Sequence, residues 1–198
     1  MFNKQVMINV FKNLLSQAKK SYNEFNTADG KIGDGDLGIT ILNGLEEINN
    51  NISNFKDDLG QNFMLCSQAF VKKSGSSFGT LIAFSFLKIS QKLKGKMLCS
   101  HQDIIDIVNT ALKTIQERGK TNLGDKTIAD SLSIIYIKLT EAKDDVDYAQ
   151  IFKLATKQAI EDFKGKKILV GRARMFEDKT KDIDDPGMFA FSKLAETF

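Results

Sequence analysis

Apolar side chains recur along this chain at intervals of three and four residues, so segment after segment would bury one face as a helix. Val6, Val10, Leu14 and Leu15 set the pattern near the start, and Ile104, Ile107, Val108, Leu112 and Ile115 repeat it later. No stretch alternates apolar and polar residues over the length of a strand. The spacing predicts eight helices, at about 3–25, 38–53, 60–73, 77–93, 101–119, 127–142, 147–163 and 187–197, and hence an all-α fold. Pro186, the sole proline, lies just before the last of them, where a proline in the first turn loses no intrahelical hydrogen bond. Ahead of it, residues 164–186 form a long, charged, weakly periodic connection, and loops of that length in compact domains carry function or are disordered.

Composition narrows the class. A chain of 198 residues with 42% hydrophobic and 27% charged content suits one soluble globular domain over 1–198, and no internal repeat or linker suggests a second. The net charge of +3 comes from scattered lysines, which argues against a nucleic-acid partner. Cys66 and Cys99 form neither a disulfide framework nor a C-x-x-C pair, so a reducing cytoplasm is expected. Residues 1–20 read as an amphipathic helix and not a leader, and no apolar run approaches the roughly 18 residues of a membrane span.

Chemistry concentrates between the first two predicted helices. Asp29-Gly-Lys-Ile-Gly-Asp-Gly-Asp-Leu-Gly38 packs three carboxylates and four glycines into ten residues. Acids this close repel one another unless they bind a cation or point into water. Glycines there permit a loop wrapped closely around an ion and a phosphate. A calcium loop of the EF-hand type fails on spacing, because Ile39 and Leu45 stand where its glycine and bidentate glutamate belong. A few hard oxygen ligands with room for water and phosphate suit Mg²⁺, with a solvated acidic turn as the plain alternative.

Three further stretches stand out. Lys73-Ser-Gly-Ser-Ser-Phe-Gly-Thr80 opens a helix with small hydroxyl residues, which suits either an anion or an ordinary cap made by Ser76 or Ser77. Arg118-Gly-Lys-Thr-Asn-Leu-Gly-Asp-Lys-Thr127 joins two helices, with Gly119 as the expected C-cap and Asp125 or Thr127 as the next N-cap. The Walker pattern G-x-x-x-x-G-K-[ST] is absent, since Gly119-Lys120-Thr121 has Thr114 where the first glycine should be. Arg172 and Arg174 follow Gly171 in the long connection, which closes on Asp185-Pro186-Gly187. His101, the only histidine, is expected at the surface or in a cap and not as a phosphohistidine.

In that order, IGDGDLG with Asp29 ahead of it, GSSFG, RGKTNLGDKT and GRARMFEDKTKDIDDPG resemble the ADP-binding L subunit of dihydroxyacetone kinase over about residues 25–187. The resemblance implies a barrel of eight antiparallel helices with the nucleotide site at one end. It implies Asp29, Asp34 and Asp36 as ligands of two Mg²⁺ ions that bridge the phosphates of ADP or ATP. Leu37, Gly38, Ile39 and Thr40 match the family's phosphate-contacting helix start, and Ser76 and Ser77 its second contact. Gly119 and Ile128 match the adenine and ribose pocket, Arg172 the arginine, and Asp185, Pro186 and Gly187 the closing turn. The chain departs from the family at Leu37, where a histidine is common, at Thr40, near a usual asparagine, and at Phe78, at a small-residue position.

By the same resemblance the chain transfers a phosphoryl group to dihydroxyacetone or a similar small ketose held by a separate K subunit, with Arg172 offsetting charge. Bacterial members draw the phosphoryl group from a phosphocarrier of the sugar phosphotransferase system, and others exchange free ATP. A related domain of fatty-acid kinases is followed by further domains, so a full-length L subunit is the expectation. A non-catalytic nucleotide-binding regulatory subunit is the alternative, motivated by Leu37 and Phe78, and a helical scaffold with an acidic turn is the third reading.

Overall fold

The computed structural model describes residues 2–142 and 146–198. Among them eight α-helices follow in order: α1 (Lys4–Gly30), α2 (Leu37–Asn50), α3 (Leu59–Lys73), α4 (Ser77–Lys92), α5 (His101–Gly119), α6 (Ile128–Glu141), α7 (Tyr148–Asp162) and α8 (Pro186–Ala195). Each helix packs on the next, and α8 returns to α1, so the row closes into a barrel. Neighbours joined by short connections run antiparallel, and alternate connections therefore gather at the same end. The connections α1–α2, α3–α4, α5–α6 and α7–α8 share one end, and they are the four stretches that the sequence singled out.

Helix starts follow capping chemistry. Ser76 Oγ accepts the Gly79 N–H at 3.0 Å and opens α4, while Ser100 with Asp103 and Thr127 with Asp130 form capping boxes for α5 and α6. Pro186 is the first residue of α8. At the end of α5 the expected glycine cap is corrected: Lys120, not Gly119, takes the left-handed conformation, with φ 51° and ψ 45°. Gly119 remains helical beside Leu81 of α4.

Among the described residues, beside two small apolar clusters, two large ones fill most of the interior. In one, from α1 to α4, Phe86 lies within about 6 Å of Phe11, Phe63 and Phe70, edge-on or tilted. The other joins α5, α6 and α7 through Val108, Leu112, Ile135, Leu139 and Ala155. His101, expected at the surface or in a cap, is half-buried at the first position of α5 and ties this second half together. Its Nε2–H donates to the Leu139 carbonyl at 3.0 Å, so Nδ1 accepts from the Tyr148 hydroxyl at 2.9 Å, tying α5 to α6 and α7.

A 3-10 turn over Ile52–Asn54 and two further features lie outside the α-helical pattern among the described residues. Strands β1 (Phe2–Asn3) and β2 (Leu98–Cys99) pair antiparallel and strap the chain start to the α4–α5 connection. A stretch over Arg172–Asp182 forms two 3-10 runs with a break at Glu177, where the sequence shows only weak periodicity. No helix among the described residues is long and apolar enough to cross a membrane.

Candidate functional site

The acidic cluster is assembled from two helix ends. Helix α1 runs past its expected end near residue 25 to Gly30, so Asp29 lies in the last helical turn and not in the loop. Gly35 reverses the chain at φ 73°, and Asp36 then stands at the N-cap of α2. Its N–H donates to Asp29 Oδ2 at 3.0 Å, but its own carboxylate makes no cap bond. Asn26 of α1 caps α2 in its place, its Oδ1 accepting from Gly38 N–H at 2.7 Å and Ile39 N–H at 3.3 Å. Asp36 is thereby left free to act as a ligand.

One carboxylate oxygen from each of Asp29, Asp34 and Asp36 lies within 4.8 Å of the others. Burial pushes the Asp36 carboxyl above its usual range, the charges of Asp34 and Asp29 push it further, and Arg172 opposes them. The Arg172 guanidinium, from the far connection, pairs with Asp34. Three converging hard oxygens, partly open to water and mutually repelling, fit Mg²⁺, which takes few carboxylates and keeps several waters.

Beside this cluster the starts of α2 and α4 meet. Thr40 Oγ1 donates to Ser76 Oγ at 2.8 Å, and Ser74 Oγ lies 3.3 Å from the same oxygen. Gly79 permits this packing, since a Cβ there would fall 1.7 Å from Ser74 Oγ. Two helix N-termini with their positive dipole ends thus meet one turn along α2 from Asp36, a setting that suits phosphate. Leu37 is 4% exposed and packs in the core, so only its backbone is offered to a ligand, whereas Ile39 and Ser77 are exposed. Phe78 packs against the closing turn, its ring 3.2 Å from the position a Gly187 Cβ would take.

The remaining expected residues share this end without joining the carboxylate cluster. Gly119 faces Leu81 at the α5–α6 connection, and Ile128 opens α6, half-buried against the second apolar cluster. Asp185 caps α8 through the Met188 N–H at 2.9 Å, followed by Pro186 and Gly187. Burial raises the Asp185 carboxyl to about 7, against the pull of the Met188 and Gly187 N–H groups and Lys126.

A pH signature follows from Asp185. The folded state holds this proton more tightly than the unfolded chain, so stability falls as pH rises from about 4 to 7. Asparagine caps equally well and does not titrate. Asp185→Asn should exceed the wild type in stability by about 2 kcal/mol at pH 8, allowing for partial solvation, and match it below pH 4. Urea unfolding across that range measures the difference, and a constant offset at all pH values would contradict it.

Asn26, Lys126 and the Phe78–Gly187 contact were not singled out from sequence. Asn26 carries no local signal, because its role depends on a helix start that folds back against it. Lys126 reads as one more loop lysine until its burial is seen.

Fold and site together define a class, a closed all-α barrel with three converging carboxylates at the end where the starts of α2 and α4 meet. The chain belongs to the DAK2 domain family, whose sequence profile matches residues 31–198. It is similar to the ADP-binding subunit DhaL of PEP-dependent dihydroxyacetone kinase 1 from Listeria innocua, 27% identical over 84% of this chain and 80% of that protein. It is also similar to the ADP-binding subunit DhaL of the PTS-dependent dihydroxyacetone kinase of Lactococcus lactis, 29% identical over 91% of this chain and 88% of that one. The dihydroxyacetone kinase of C. freundii, solved in complex with AMP-PNP and Mg²⁺, shares the fold at a TM-score of 0.74 and 21% identity. That match covers 96% of this chain and 32% of the larger one.

Proposed function

We propose that this chain is the nucleotide-carrying subunit of a dihydroxyacetone kinase, binding ADP or ATP with two Mg²⁺ ions in a single domain spanning 1–198. The observation that carries the reading is the convergence of Asp29, Asp34 and Asp36 beside the starts of α2 and α4. The names of the Listeria and Lactococcus relatives support it, as ADP-binding subunits of such kinases.

In this reading Asp29, Asp34 and Asp36 hold the metal, which when bound offsets phosphate charge. The start of α2 from Leu37 to Thr40, through its positive dipole end, and Ser76 and Ser77 position the phosphates. Gly119 and Ile128 line the base and ribose side, and Asp185, Pro186 and Gly187 close the pocket. Arg172 leaves Asp34 to face the transferred phosphoryl group, so catalysis is positioning plus electrostatics. The acceptor is dihydroxyacetone or a similar ketose on a separate K subunit. The donor is free ATP or a phosphocarrier protein of the phosphotransferase system.

The test combines the purified chain with a dihydroxyacetone-binding subunit, the ketose, and either ATP or a phosphorylated carrier. Ketose phosphate should form only with both subunits present, and Arg172→Ala should slow it at least about a hundredfold. The buried Leu37 and the bulky Phe78 favour a second reading, a regulatory nucleotide-binding subunit, which tight ADP binding without transfer would select.

A further inference from the structure

Lys126 has a burial that loop lysines lack. It is 1% exposed, although it sits in the α5–α6 connection with its backbone at φ 61°. A buried ammonium persists only where it is hydrogen-bonded, and this one donates to the carbonyls of Lys166 at 2.9 Å and Thr180 at 3.1 Å. Those carbonyls lie on the two legs of the α7–α8 connection. The legs also meet directly, Gly165 N–H donating to the Lys181 carbonyl at 3.2 Å. Residues 165–181 therefore form a compact loop whose ends touch, of the Ω type.

Inside the neck, Thr180 Oγ1 accepts from Ile168 N–H at 2.9 Å and donates to the Glu177 carbonyl at 2.7 Å. Glu177 holds φ 43° and ψ −119°, a region that a non-glycine residue keeps only when its surroundings over-determine it. The loop leans on the aspartate cradle through Ile168 and Ala173 packed with Ile32, and it delivers Arg172 to Asp34. Burial lowers the affinity of Lys126 for its proton, and Asp184, Asp185 and Asp182 work to restore it.

We propose that Lys126 is the positioning residue of this loop, its ammonium fixing the neck and thereby the place of Arg172 against the aspartate cradle. The link to nucleotide rests on the function proposed above, while the link to loop closure does not.

The test uses the full chain with Lys126→Met, which keeps the stem and removes the charge. Trypsin should cut after Arg172 or Arg174 at least about tenfold faster in the variant, under conditions where the helical circular dichroism and cleavage elsewhere are unchanged. With Mg²⁺ and ADP as probe, affinity should fall several-fold, and adding Arg172→Ala to Lys126→Met should cost nothing more, a non-additivity that a general loss of stability does not give. Thr180→Val should open the same loop and serves if Lys126→Met does not fold. Unchanged cleavage, acceleration spread evenly along the chain, or additive losses would overturn the proposal. A wild type that fails to bind Mg²⁺ and ADP would refute the proposed function, and the cleavage rates alone would then decide the role of Lys126.

Discussion

Asp34→Ala is expected to abolish the stabilisation that Mg²⁺ and ADP together give the chain, while leaving the ligand-free protein as stable as the wild type. The two halves of that expectation have different causes. Asp34 is exposed, its pairing with Arg172 is a surface ion pair, and such pairs contribute about 0–1 kcal/mol. Its carboxylate is also one of three that converge on the same few ångströms. Removing it leaves a poor cation site and unscreened phosphates against Asp29 and Asp36. Ligand at 100 times its Kd adds about 2.7 kcal/mol to stability. For a chain of this size that is a rise of roughly 5–10 °C in Tm. The wild type should show this rise with Mg²⁺ and ADP together and much less with ADP alone. Asp34→Ala should show none, and a variant that kept the full rise would remove Asp34 from the metal site.

The helical barrel was legible because each helix carries its own apolar stripe and every helix but α2 its own capping side chain. Val108, Leu112 and Ile115 of α5 were identifiable from spacing alone, and all three are buried. The boundary error at α1 has a specific cause. Asn26-Thr-Ala-Asp-Gly30 looks like a turn, since Asn and Asp compete with the helix for backbone hydrogen bonds. Here both side chains are engaged by the start of α2, with Asn26 on Gly38 and Ile39 and Asp29 on Asp36, so the helix continues. Contacts that only the closed ring creates stayed invisible. Arg172 and Asp34 meet across most of the chain, and Lys126 finds its partners on a connection that the sequence showed only as charged.

The departures from the family pattern also gain a physical meaning. Leu37 trades a polar side chain for core burial next to the cradle, where the Gly38 and Ile39 N–H groups already bond Asn26 and the Thr40 hydroxyl already bonds Ser76. Phe78 fills the space beside Gly187, so the first turn of α4 and the closing turn are packed together instead of separated by a small residue. Both changes alter the walls around the carboxylates and leave the carboxylates themselves in place.

Gly38→Ala should damage this end of the barrel severely. A Cβ at Gly38 would lie 2.4 Å from the Tyr22 carbonyl oxygen and 2.7 Å from Asn26 Oδ1. The first contact is with the backbone of α1, which cannot rotate away, so the start of α2 must retreat. That retreat would pull Gly38 and Ile39 N–H from their cap on Asn26 and shift Asp36 away from Asp29. Alanine gains up to about 1 kcal/mol from helix propensity, and the overpacking and lost cap cost about 1–3 and about 1 kcal/mol. A net loss of roughly 1–3 kcal/mol is expected in urea unfolding, accompanied by loss of most of the Mg²⁺ and ADP stabilisation. Gly30→Ala is the matched control, because its nearest neighbour would be Gly35 Cα at 3.8 Å, an ordinary contact. It should unfold like the wild type and keep its response to ligand. If the two variants behaved alike, close approach of α1 and α2 would not be what holds the aspartate cradle together.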